Sequence, residues 1–293
     1  DLTDYHPLWR ETVRLKIGNN VAHFPPPPVQ GGLIEAQILA MLNDGDRFRK
    51  AAREERDHLM AEVSARAFAD AGRAGPVTGD PQSLLTRSHV AALMAGYRRD
   101  RRDESAFAAP PSNGAANPAA TSVVAVDRDG NAVACGLTLN TLFGTGRRAA
   151  GTGILLAALP RPGSHDSASL GPMLVMNEAG PSFRFAAAAS GGSAAPGALA
   201  GSAARILFAD EPVSAAVNTP RVHAGGDAQA VLIESTVSPE RAEALRQRGH
   251  PLAVTQLLGR VSAIAFLKGL PGNPASCAAA TDQRGFGFAI VGG

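Results

Sequence analysis

The sequence predicts a layered α+β fold, on two observations. Apolar residues recur at helical spacing through the front of the chain and at strand spacing through the rear. Between them lies RRDESAFAAPPSNGAANPA, residues 101–119, which has neither period. Helices gathered ahead of consecutive strands favour segregated layers over the strand–helix alternation of a doubly wound sheet. The 293 residues suffice for one large domain or two ordinary ones. Three parts are expected: a mostly helical 1–105, a linker at 106–119 and a β-rich 120–293.

The elements follow in chain order. Residues 1–30 read as extended and proline-punctuated, with a strand-like VAHF before PPPPVQGG. Four consecutive prolines continue neither a ladder nor a helix, so Pro25 to Pro28 form a rigid packing segment, and Gly31 and Gly32 release the chain into a helix. Ile34, Ile38, Met41 and Leu42 give that helix its apolar stripe. Ala52, Leu59, Met60, Val63 and Ala67 mark a second, and a third is expected from Ser83 or Thr86 to about Arg99. After the linker, strands are expected at 121–127, 132–139, 173–177 and 183–188, then a small-residue helix at 197–209. A strand at 230–234 precedes a helix with clear boundaries: Ser238 caps it, Pro239 suits its first turn, Glu240 meets the positive dipole end, and Gly249 terminates it. Strands at 252–255, 261–267 and 286–290 close the chain.

With 45% hydrophobic and 18% charged residues, the composition is globular. Aromatic residues make up only 5%, so the core rests on Ala, Val, Leu and Ile. A net charge of +2 is too small to imply nucleic-acid binding, and the Arg-Arg-Asp-Arg-Arg cluster at 98–102 reads as a solvated helix end. No run of eighteen apolar residues is present to span a membrane. The opening DLTDYHPLWRET lacks the basic start and apolar middle of a signal peptide. Cys135 and Cys277 leave the compartment open, and Cys135 is expected to be a buried free thiol in a strand. The seven histidines show no ligand-like spacing, so no metal site is expected, and no phosphate-binding Gly-Lys-Ser/Thr loop exists.

A set of motifs carries a resemblance. Asp1-Leu2-x-x-Tyr5 followed by Arg10 opens it, then PPPPVQGG, Ala67-Phe68-Ala69-Asp70 and Gly79-Asp80-Pro81. DRDGNAVA and LTLNTLFGTG follow the linker, then Ser190-Gly191-Gly192-Ser193, Asn218-Thr219-Pro220-Arg221 and Asp282-Gln283-Arg284. Each is weak alone; their shared order along nearly the whole chain is specific. The chain resembles the gamma-glutamyltransferases of the N-terminal-nucleophile hydrolase superfamily. The resemblance implies a four-layer αββα sandwich. This chain would supply the rear of the large subunit and all of the small one, with the front of the large subunit as missing partner. It makes the linker a processing region and implies a periplasmic or secreted protein, with the cytoplasm and a homodimer as open alternatives.

In that family a threonine at the start of the small subunit, exposed by self-cleavage, supplies both the hydroxyl nucleophile and its base, the free α-amine. The implied substrates are γ-glutamyl or related acyl amides, and no cofactor is needed. By resemblance, Thr138 orients the nucleophile, Asn140 and Ser169 contact substrate, and the N–H groups of Gly191 and Gly192 form the oxyanion hole. Such a donor is worth roughly 3–4 kcal/mol. A plain turn at the glycine pair, an ordinary β-forming Thr138 and a plain loop serine at 169 are the alternatives.

Two departures stand out. Counting back from Asp127-x-Asp129-Gly130, the nucleophile position falls on Ala120, with Thr121 one step along. Strand side chains alternate faces, so Thr121 would serve only if the strand start shifts or a bulge re-aims it. The leading expectation is an acyl transferase or hydrolase with Thr121 as a displaced nucleophile; Ala120 as an engineered block to self-cleavage and a natural non-catalytic binding module stay open beside it. Second, the family's acidic run that holds the substrate ammonium is replaced by Ala157-Ala158-Leu159-Pro160-Arg161-Pro162. A buried ammonium without a carboxylate loses roughly 3–5 kcal/mol. An acyl group lacking the amine is therefore the better expected substrate.

Overall fold

Alternation of Val13, Leu15 and Ile17 buries one face of β1 (Val13–Ile17), and a turn through Gly18, at φ 58°, returns the chain as β2 (Asn20–Phe24). This is a computed structural model, and it describes residues 4, 6–74, 79–107, 120–159, 170–180, 182–225 and 229–292. The proline segment then packs on the next helix. A Cβ at Gly32 would lie 2.4 Å from the Pro25 carbonyl oxygen, so only glycine admits this approach.

The front helices are α1 (Gln30–Asn43), the short α2 (Arg47–Lys50), α3 (Arg56–Ala74) and α4 (Arg87–Leu93). The third ends earlier than the expected Arg99. Its C-cap, Met94, leaves helical geometry at φ −91°, ψ 0°, and Gly96 sits where a Cβ would lie 2.2 Å from Asp103 Oδ2. The basic cluster beyond it is also not simply solvated. Arg99 grips Glu55 through Nε and Nη2, and the Arg102 guanidinium stacks 4.3 Å from the Phe107 ring centre.

The rear part contributes β3 (Ala120–Val126), β4 (Ala132–Thr138), β5 (Met173–Asn177), β6 (Ser182–Ser190), α5 (Ala195–Ala209) and α6 (Val213–Asn218). Then come β7 (Val222–His223), β8 (Val231–Glu234), α7 (Pro239–Gln247), β9 (Leu252–Thr255), β10 (Arg260–Leu270) and β11 (Cys277–Thr281). Helix α7 starts and stops as its sequence predicts: Ser238 Oγ accepts from Arg241 N, and Gly249 takes φ 85°. The expected strand at 286–290 does not form. After β11 the chain turns and Gly287 comes back against Thr281 of β11, but Phe286, Phe288 and Ile290 are exposed and join no ladder among the described residues. Alternation alone does not make a strand; the backbone must also enter hydrogen-bonding register with a neighbouring strand.

One antiparallel sheet in the order β1-β2-β5-β6-β10-β11 is the centre of the structure, so the front hairpin and the rear strands share it. One face packs Met173, Val175, Phe185, Ala187, Val261 and Ala263 against α1, α3 and α5. Alanine dominates here because closely packed helices and strands leave little room, as the low aromatic content implies. The other face, through Phe183, Ala186, Phe266 and Leu270, receives Val124, Val126 and Ala132 of the β3–β4 hairpin. The outer face of that hairpin is uncovered: Val123, Val133 and Leu137 are each more than half exposed. Cys135, expected to be buried, is therefore a half-buried free thiol. A small mixed sheet, β7-β8-β9, packs with α7 beside α3. Among the described residues no helix is long and apolar enough to cross a membrane.

Candidate active site

The hairpin's direction over the sheet fixes which end holds the site. Its turn lies at the Leu270 end, because a Cβ at Gly130 would sit 3.2 Å from the Leu270 carbonyl oxygen and 3.8 Å from Phe183 Cβ. Midway, Ser122 Oγ donates to Ser262 Oγ at 3.4 Å, and Ser262 pairs with Ala188. Its open end, Ala120 paired with Thr138, therefore lies toward the sheet end where Ser190 pairs with Arg260. Gly191 and Gly192 leave the sheet at that same end.

Alternation then sorts the side chains. Ala120, Ser122, Val124 and Val126 face the six-stranded sheet, while Thr121, Val123 and Ala125 face outward and are exposed. Position 120 is thus the inward place at the strand start, and it holds alanine. Its cross-strand neighbour is Thr138, which shares its face; the partner of Thr121 is Leu137, on the outer face. The ladder runs from Ala120↔Thr138 to Val126↔Ala132 without a register shift.

Gly191 and Gly192 are buried and take φ 122° and 66°. A Cβ at Gly191 would lie 2.6 Å from Gly259 Cα, so two backbones touch there. The glycines lead through Gly192–Ala194 into α5, whose N-terminus has no side-chain cap. Uncapped N–H groups and the positive helix end make this corner suited to an anion. Gly191→Ala should cost about 3–5 kcal/mol, since it combines a forbidden φ with a backbone clash. A urea midpoint unchanged from the parent would show that the loop relaxes freely.

Asn140, at φ 61°, anchors a loop. Its Nδ2 donates to the Ala158 carbonyl at 2.7 Å, while Ala158 N donates to the Leu139 carbonyl at 3.0 Å, closing residues 140–158 into a lobe. Thr138 Oγ1 accepts from Asn140 N at 3.0 Å. Ser169, the remaining expected substrate contact, lies outside the described residues, as does 160–162 of the non-acidic run.

Sequence reasoning missed the role of the two arginine motifs, which meet in one buried network. Arg221 Nη2 donates to Asp282 Oδ2 at 2.6 Å and to the Val217 carbonyl; its Nη1 donates to the carbonyls of Leu258 and Gly259. Arg284 bridges Asp282 and Glu234, and Glu234 accepts from the N–H groups of Arg221 and Leu258. Burial works against both carboxylates, yet the Arg221 and Arg284 charges and hydrogen bonds hold them below the usual range. The network grips the strand of backbone at Leu258–Gly259 that abuts Gly191. The signal available beforehand was the pairing of an arginine motif with an acid–arginine motif far along the chain.

Glu35 on α1 was also missed. It is fully buried, neither carboxyl oxygen has a hydrogen-bond partner among the described residues, and burial pushes it well above the usual carboxylate range. It presses on Gly171, where a Cβ would lie 2.0 Å from Oε1. A group with a raised folded pKa contributes its full stability below the ordinary carboxylate range and loses it as pH rises. Glu35→Met should therefore stabilise the protein by about 1–3 kcal/mol at pH 8 and by less at pH 4. Equal urea midpoints of variant and parent at pH 8 would contradict this.

Among the described residues one trio of metal-capable side chains converges: His58, Glu62 and His250. Hydrogen bonds occupy it. His58 Nδ1 lies 2.7 Å from His250 Nε2, and Glu62 accepts from Arg66 and from Asp103 N. This is a polar core between α3 and the loop after α7.

An α+β sandwich with a paired-glycine corner opposite the start of a hairpin strand defines the N-terminal-nucleophile class of fold. The chain belongs to the gamma-glutamyltranspeptidase family, whose profile matches residues 1–292. It is similar to the acylase ACY 1 proenzyme of Pseudomonas sp. (strain V22), 29% identical over 293 residues that cover 91% of this chain and 50% of that protein. It is also similar to the glutathione hydrolase proenzyme of Escherichia coli (strain K12), at 26% identity, covering 90% of this chain and 50% of that one. In structure, the cephalosporin acylase from Bacillus halodurans matches 97% of this chain and 53% of its own, with TM-score 0.74 at 20% identity, a likeness of fold. The chain spans about half the length of these relatives.

Proposed function

We propose that this chain carries an acyl-binding site of the N-terminal-nucleophile type whose attacking position is residue 120. With alanine there, the chain stays uncut and holds its ligand without turning it over. The observation that carries the reading is the register Ala120↔Thr138, which sets the Thr138 side chain on the face of residue 120 and supports it as the orienting hydroxyl. A methyl group has no lone pair to attack a carbonyl. The ladder has no bulge at its start that would re-aim Thr121, and a slip of the whole strand by one residue would turn Val124 and Val126 out of the core. The ligand is a γ-glutamyl or related acyl amide. The described part of the loop, Ala157-Ala158-Leu159, offers no carboxylate to an ammonium, which favours the acyl class without the amine.

In the same reading the chain's partner is the front of the large subunit, which would cover Val123, Val133 and Leu137 and complete a second sheet. A denaturing gel, N-terminal sequencing and an assay with a γ-glutamyl anilide test the site. An intact chain without turnover is expected. A cut that frees the Thr121 amine, accompanied by turnover, would overturn the reading and make Thr121 the nucleophile.

A further inference from the structure

Residues 98–107 run from the front helices toward the linker, and both sides of the molecule hold them. From α3, His58 Nε2 donates to the Arg98 carbonyl at 2.7 Å and Glu62 Oε1 accepts from Asp103 N at 3.1 Å. From the loop after α7, the Arg248 carbonyl accepts from Arg102 N at 2.7 Å, while Arg248 Nε donates to the Arg99 carbonyl. His250 stands between the two, against His58 on one side and the Phe107 ring on the other, 5.5 Å centre to centre.

The proton positions in this junction follow from its partners. A carbonyl only accepts, so His58 carries its proton on Nε2 and presents a bare Nδ1. His250 Nε2–H therefore donates to His58 Nδ1, which leaves His250 Nδ1 bare, buried and without a partner. A second proton has nowhere to go. On His58 Nδ1 it either faces the His250 N–H or drives that proton round to His250 Nδ1, and in either case, as when it adds to His250 Nδ1 directly, a buried donor is left without an acceptor among the described residues. The charged and titratable groups around the pair are Glu55 just before α3, Glu62 and Arg66 of α3, Tyr97 just before the strap, Arg102 and Asp103 of the strap, and Arg248 of the far loop. Glu62 is already taken by Arg66 and Asp103 N, and its nearest oxygen is 3.9 Å from His250 Nε2.

We propose that the His58–His250 hydrogen bond is an acid-sensitive clasp on the strap 98–107. One added proton breaks it and frees the strap that leads into the linker. Burial, then the charges of His58, Arg102 and Arg248, push His250 down to about 3, and burial lowers His58. An opened histidine takes up its proton near its ordinary value of about 6.5. Between those values the open form binds more protons, so closure is favoured above about 6.5 and weakens as pH falls.

The test is amide exchange at Arg102 and Asp103 in the full chain, corrected for intrinsic rate, from pH 7 to pH 4.5. It is run beside His250→Gln, which keeps an N–H donor and does not titrate. Protection at the two amides should fall below pH 6 in the parent by up to about tenfold per pH unit more than in the variant, where only His58 still titrates. Unchanged protection in the parent, or an equal fall in His250→Gln, would overturn the clasp. Should the variant not fold, ring NMR of the parent decides: titration of His250 must coincide with loss of protection at Arg102 and Asp103, and titration without that loss refutes the idea.

Discussion

Ala120→Thr is expected to yield a chain that cuts itself. The new hydroxyl would sit on the inward face, across the ladder from Thr138 and toward the glycine pair at the head of α5. Denaturing gels should then show two fragments, and sequencing of the smaller should begin at residue 120. Adding Thr138→Ala to that variant should slow the cut by about 10²-fold, the scale on which one positioned proton-handling group contributes. Thr121→Ala, by contrast, should leave the new cut untouched, because its side chain lies on the exposed face. A variant Ala120→Thr that remains whole would remove residue 120 from the attacking position.

A large stability effect is expected at Asp282. Asp282→Ala strips the guanidinium of Arg221 of its carboxylate partner in a site where both side chains are buried. Breaking one partner of a buried pair costs about 3–5 kcal/mol, whereas replacing both with apolar groups of similar volume is often neutral. Arg221→Met combined with Asp282→Leu should therefore recover much of what Asp282→Ala loses, as read from urea unfolding. A single variant with the parental midpoint would contradict the network's role. Acid should act in the same direction. Asp282 and Glu234 are held below the usual carboxylate range, so their contribution is complete above that range and is lost as pH falls through their lowered values.

The sequence made much of this legible because local physics and tertiary packing agreed. Ser238, Pro239 and Gly249 bounded α7 where the structure ends it, and alternation located β3 to β6 within a residue or two. The ordered motifs identified the family before any coordinates. Two expectations failed where a partner at long range decided the outcome. Residues 286–290 have the alternation of a strand but pair with no described strand, and the helix after Thr86 stops at Leu93, after which the chain turns so that Asp103 packs on Gly96.

What the chain's residues determined unaided was the class of fold, the order of its elements and the presence of alanine where the family's nucleophile is counted to fall. Period and spacing are local properties, and a strand's alternation follows from backbone geometry alone. Only the tertiary structure decided which face of β3 looks inward, that Thr138 stands across from Ala120, and that Arg221, Glu234, Asp282 and Arg284 close into one network behind Gly259. It also exposed two liabilities, the unpaired Glu35 and the proton-limited His58–His250 pair. The reason is the same in each case. Register, burial and charge pairing depend on residues up to about two hundred positions apart, and no local pattern encodes which of them will meet.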